Sequence, residues 1–192
     1  MDEEKNHNGL IALMWIAVLA HIFTAAGCVL VVLRDLQRIS FDQIWIRAVG
    51  IALLVTVAID IILAIWYFSW QWRAVRLRQD NGGFSTTPAW SIAMWFIPFL
   101  SLIRPYQIVK EIGEDMPSAL LGTLKLWWGL FLASNFLANI SNFVLKDNEV
   151  FIFGSITISY LLWVLAGILF IRIFRSIQTA DRSVGHLADV FA

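Results

Sequence analysis

Proton chemistry has few places to reside in this sequence. His21 and Asp60 are titratable residues set within long apolar runs, and Asn135 and Asn139 lie within a third such run. An imidazole titrates near neutral pH and a carboxyl group takes up or releases a proton, so a His beside an Asp is a minimal relay. Each polar group has companions at helical spacing. His21, Thr24 and Cys28 share one face, Thr56 and Asp60 lie four apart, and Asn135, Asn139 and Asn142 follow i, i+4, i+7. A carboxylate inside a membrane span is a functional candidate by default. Asn, Ser and His also join helices through hydrogen bonds of roughly 0.6–2 kcal/mol. Two readings therefore stand for Asp60: proton or ion coupling with His21, or a structural hydrogen-bonding role. The Asn stripe reads first as helix glue. All these faces are expected to turn inward, because an unpaired polar group in hydrocarbon is expensive.

No other reactive constellation is visible. His7, His21 and His186 are far apart, and no H-E-x-x-H, C-x-x-C or G-x-S-x-G pattern occurs. No glycine-rich phosphate loop occurs either. The expectation is a protein that is not an enzyme, with no metal and no cofactor. Cys28 is the single cysteine, so no intrachain disulfide forms. Ala25-Ala26-Gly27-Cys28 is loosely like a lipoprotein cleavage box, but the apolar run continues past it. Fourteen basic and fourteen acidic residues cancel, so no basic face is available for nucleic acid.

The elements that carry these residues are membrane spans. Of the 192 residues, 59% are hydrophobic and only 15% charged, and mean hydropathy is +0.74. Soluble chains run nearer a quarter charged, and disorder or a disulfide scaffold is excluded. A span needs roughly 20 apolar residues. Residues 10–33, 48–72, 126–145 and 150–171 each qualify. Counted from these bounds, His21, Asp60 and Asn135 lie at similar depth. The first two spans are antiparallel neighbours, so a His21–Asp60 contact is expected.

Segment 84–104 is different. Pro98 interrupts it, and Thr87-Pro88 reads as an N-cap followed by proline at the first helical position. The expectation is a broken, re-entrant or short hairpin segment. Residues 105–116 then read as an amphipathic helix on the inner surface, with Pro105 at its first position and Ile108, Ile112 and Met116 every four residues. Asn81-Gly82-Gly83 is a turn signal. With four spans and both termini inside, ten basic residues fall inside and four outside (Arg34, Arg38, Arg47 and Lys146). A five-span alternative gives at best nine against five, so the positive-inside rule favours four. Trp45, Trp70, Trp72, Trp90, Trp127 and Trp128 fall near span ends and read as a headgroup-level belt.

The stretch from 70 to 111 carries a family likeness. It contains Trp72-Arg73-Ala74, Gly82-Gly83, Thr87-Pro88-Ala89-Trp90, Met94-Trp95-Phe96-Ile97-Pro98, Arg104-Pro105-Tyr106-Gln107 and Lys110-Glu111. Leu126-Trp127-Trp128 and Gln178 extend the likeness over about 61–178. It resembles a bacterial family of small multi-pass membrane proteins classed as a domain of unknown function. Phe99-Leu100-Ser101 departs from that family's usual isoleucine, small residue and asparagine. The resemblance implies a cell-envelope membrane protein and no activity. From the residues themselves, Trp90, Trp95, Pro98, Arg104, Pro105 and Tyr106 form either a rigid elbow or a lipid-headgroup or partner site. In the latter, Arg104 reaches a phosphate or the carbonyls left open by the break at Pro98.

The expected fold is one all-α membrane domain over 1–192, with four transmembrane helices, the Pro-broken segment and the amphipathic helix. The expected location is the bacterial cytoplasmic (inner) membrane, with N- and C-termini cytoplasmic. The expected role is a scaffold or accessory subunit, with membrane lipids, another membrane protein or a second copy as partners. The alternative is a small proton- or ion-coupled transporter using Asp60 and His21.

Overall fold

The computed structural model describes residues 2–36, 43–80, 84–114, 117–118, 120–144 and 149–191. Among them the regular secondary structure is all α-helix: α1 (Asp2–Asp35), α2 (Gln43–Asp80), α3 (Pro88–Ala93), α4 (Leu100–Ile112), α5 (Leu120–Val144) and α6 (Glu149–Phe191). Four helices, α1, α2, α5 and α6, are long and apolar enough to cross a membrane. This is the all-α, four-span architecture that the hydropathy pattern predicts. The helices overrun the apolar runs, since polar residues continue a helix once it is nucleated. At 1.5 Å per residue, α6 is about 65 Å long, roughly twice a hydrocarbon core. The third spanning helix begins at Leu120, earlier than the expected 126. Residue 145, the Asn81-Gly82-Gly83 turn, Asp115 and Met116 lie outside the described residues.

Backbone contacts divide the chain into two compact units. The first comprises Met1–Ala64 and Gly129–Ile168. Its buried face on α1 runs Leu10, Met14, Ala17, His21, Thr24, Cys28 and Val31, alternating steps of four and three. That spacing is the seam of two helices packed at a shallow angle. Gly167 of α6 lets α1 come close, because a Cβ there would meet Val18 Cγ2 at 3.0 Å and the Trp163 ring at 3.5 Å. Gly167→Leu is expected to overpack this contact at about 1–3 kcal/mol. A lowered thermal midpoint in detergent would register it.

The second unit comprises Ile65–Trp128 and Leu169–Ala192. Its core is aromatic. Tyr67 meets Trp95 (5.5 Å between ring centroids) and Phe170 (5.6 Å), Trp70 meets Phe174 (5.0 Å), and Trp127 meets Phe170 (4.8 Å). Trp127 and Trp128 are therefore buried, not part of a headgroup belt. Ring packing won over the interfacial preference, because edge-to-face pairs add to the burial of a large apolar surface.

The broken segment forms two short helices in this unit. Thr87 caps α3, accepting from Trp90 N at 3.3 Å, and Pro88 occupies the first turn, as the sequence predicts. The helix ends at Ala93, and the break occupies 94–99, ahead of and around Pro98. The proline ring clashes with the carbonyl four residues back and pushes its predecessor out of the helical region. Neither α3 nor α4 is long enough to cross a membrane.

The second expectation here needs correction. The amphipathic helix starts at Leu100, not at Pro105, and ends at Ile112. Pro105 sits inside it, in the second turn. Its missing N–H leaves only the Ser101 carbonyl without an intrahelical donor, near the helix start. The apolar face of Pro105, Ile108, Val109 and Ile112 is buried in the protein.

Candidate functional site

In the first unit the expected contact between α1 and α2 is present. His21 Nε2 lies 3.4 Å from Asp60 Oδ2, with the His side chain 1% and the Asp side chain 35% exposed. His21 Nδ1 lies 2.8 Å from the Ala17 carbonyl oxygen. A carbonyl only accepts, so Nδ1 is assigned the proton and Nε2 is left facing the carboxyl group. A hydrogen bond between Nε2 and Oδ2 needs one further proton, carried either as imidazolium with carboxylate or as imidazole with carboxylic acid. The imidazole also stacks on Trp163 (3.9 Å, 5°) and meets the edge of Tyr160 (4.9 Å, 77°). Asp60 Oδ1 is buried with no hydrogen-bond partner among the described residues.

Next to this pair, Thr24 and Thr56 hydroxyls meet at 2.8 Å, and each also lies 2.9 Å from the carbonyl four residues back. Two hydroxyl protons serve three contacts, so the pair is an acceptor-rich link between α1 and α2. Between α5 and α6, Ser159 Oγ donates to the Ser134 carbonyl at 2.7 Å. Asp60, His21, Tyr160, Ser159 and Ser134 thus trace one polar layer through all four helices of this unit.

Asn135 and Asn139 do not join it. Both are exposed, and each donates to a carbonyl of its own helix at 2.8 Å, Asn135 to Phe131 and Asn139 to Asn135. The expectation that they turn inward is corrected. A local carbonyl satisfies one amide N–H without a second helix, so the face of α5 is chosen by packing at Ser134. The side chains of Ser141 and Asn142 lie outside the described residues.

The second unit holds the elbow. Its tip is a tight turn in which Leu100 N donates to Pro98 O at 2.8 Å. Phe99, at its centre, has φ 66°, the positive-φ non-glycine residue of the described chain. This three-residue turn is of the rare, strained kind, costing about 1–3 kcal/mol. It thrusts the Phe99 side chain outward to 82% exposure, alongside exposed Phe96, Leu102 and Ile103. Arg104 and Trp90 are exposed, Tyr106 and Trp95 half-buried, and Pro98 exposed.

Arg104, expected to reach either a phosphate or the carbonyls opened by the break, is exposed, and the Ser91 carbonyl that the break leaves open is served by Gln71. Gln71, fully buried on α2, donates Nε2–H to the Ser91 carbonyl at 3.0 Å and accepts from Trp95 Nε1 at 3.2 Å. Trp128 Nε1 donates to the Leu102 carbonyl at 2.7 Å. Ser85 N and Oγ donate to the two Glu111 carboxylate oxygens at 2.7 and 2.9 Å, tying the loop before α3 to the end of α4. A lone Gln amid Trp70-Gln71-Trp72 was the available signal for the first of these, and it was missed.

The elbow and its anchors fall within a recognised segment. Residues 35–179 match the family described as a domain of unknown function, DUF4328. The chain belongs to this family. The match begins earlier than the likeness read from motifs, at the end of α1. No curated protein matches the chain, and no solved structure does. The DUF4328 segment contains α2 to α5 and α6 as far as Thr179, and with them the whole elbow, Gln71, Trp128 and Asp60. His21 lies before it. The elbow is thus built entirely within the DUF4328 segment, whereas the His21–Asp60 pair joins that segment to α1. Among the described residues no group of three or more metal-ligating side chains assembles.

Proposed function

We propose that this protein is a non-enzymatic membrane scaffold or accessory subunit whose elbow holds membrane lipid. The observation that supports it is the exposed apolar tip at Phe96, Phe99, Leu102 and Ile103, braced by Gln71 and Trp128 and followed at once by exposed Arg104. Acyl chains match the tip, and a guanidinium matches a phosphate. Exposed Arg73, Arg76, Lys110, Lys125, Arg172 and Arg175 give the same unit a basic surface suited to an anionic leaflet. That distribution also supports a bacterial cytoplasmic membrane with both termini on the cytoplasmic side. Native mass spectrometry from nanodiscs of mixed phosphatidylglycerol and phosphatidylcholine is the test. Retained phosphatidylglycerol should fall about tenfold in Arg104→Gln, the loss of one charge-assisted contact. Equal retention by wild type and variant would remove the lipid role from the elbow.

A second reading is favoured by the His21–Asp60 pair with its unpartnered Oδ1. On that reading the protein is a small proton- or ion-coupled transporter, and the shared proton is the one moved. Its measurement is proton flux into vesicles driven by an imposed gradient. Flux unchanged in Asp60→Asn ends this reading.

A further inference from the structure

Asn135 and Asn139 are exposed on α5 at the level of a buried polar layer. The level follows from contacts within the first unit. Asp60 meets His21, His21 meets Tyr160, and the neighbouring Ser159 donates to Ser134, the residue before Asn135. One N–H of each amide is taken by a carbonyl of α5 itself. The remaining N–H and the amide oxygen have no partner among the described residues. Acyl chains offer neither a donor nor an acceptor, so lipid alone leaves these groups bare where satisfaction matters most.

We infer that this face of α5 docks a second copy of the chain. The argument for that occupant is hydrogen-bond complementarity under symmetry. Two copies of one sequence insert in the same orientation, so a two-fold axis between them runs along the membrane normal. The two α5 helices then meet in parallel, and identical residues meet at identical depth. An amide is donor and acceptor at once. Asn135 against Asn135 of the partner subunit closes two reciprocal bonds, and Asn139 against its equivalent closes two more. The spacing agrees. Leu132, Asn135 and Asn139 advance by three and then four, the seam of a parallel left-handed helix pair. Exposed Phe136 flanks that seam with apolar surface. The interface is independent of the elbow and of the His21–Asp60 pair.

The test is subunit counting by single-molecule photobleaching of the full chain, labelled and diluted in phosphatidylcholine–phosphatidylglycerol vesicles. Wild type should bleach in two steps at high density and pass to one step on dilution. Asn135→Leu and Asn139→Leu should each move that midpoint about tenfold toward higher density, and the double variant about a hundredfold. Leucine is at home on a lipid-facing helix, so circular dichroism and thermal midpoint should not fall. In a Cys28→Ser background, Leu132→Cys should cross-link to its own equivalent on oxidation. One-step bleaching of wild type at every density overturns the inference, and so does a double variant that dimerises as wild type does.

Discussion

His21→Ala is expected to lower stability by about 3–5 kcal/mol, while Asp60→Asn is expected to cost less than about 1 kcal/mol. The asymmetry comes from where each group sits. The imidazole is buried, stacked on Trp163, edged by Tyr160 and bonded to the Ala17 carbonyl. Removing it leaves a ring-sized void and takes the polar partner from Asp60, whose other oxygen already has none. Asparagine at 60 keeps the shape and brings an N–H that neutral Nε2 accepts, so the α1–α2 link survives without a shared proton. Thermal unfolding in detergent, followed by near-UV circular dichroism, measures both. A drop of this size corresponds to a midpoint shift of roughly 6–20 °C for a chain of this length. Equal losses for the two variants would mean that charge, not ring packing, holds the pair together.

Gln71→Leu is expected to cost about 2–4 kcal/mol and to loosen the elbow selectively. Its amide serves the Ser91 carbonyl at the end of α3 and the Trp95 indole inside the break. Leucine fills the space but gives the buried Ser91 carbonyl nothing to accept from. The strain at Phe99 persists only while its surroundings over-determine it. Hydrogen exchange at 94–102 should therefore quicken much more than exchange in α1 or α5. Glu111→Gln is the contrasting case. Its bonds to Ser85 are exposed, so an effect within about 1 kcal/mol is expected. Uniform acceleration across the molecule in Gln71→Leu would show a global role for Gln71 in place of a local one.

Much of the architecture was legible because hydrophobic length is a local property. Four runs long enough to span needed no tertiary information, and Pro98 marked the break with its missing donor and its ring. Thr87-Pro88 announced the start of α3 for the same reason. Depth was also legible: counting from the ends of two antiparallel spans placed His21 opposite Asp60. The family likeness rested on the elbow motifs, which lie within the DUF4328 segment.

Facing was not legible. In a soluble protein, polar and apolar sides tell outside from inside. In lipid both sides of a helix are apolar, so packing shape decides which face turns inward. That is why Trp127 and Trp128 are core and Asn135 and Asn139 are surface, against expectation. It is also why Gln71, not Arg104, serves the open end of α3. A buried donor within reach outcompetes an exposed guanidinium that would surrender its hydration. The start of α4 at Leu100 is of the same kind. The apolar face from Pro105 to Ile112 repays an interior proline once it is buried within the second unit, and no local signal carries that term.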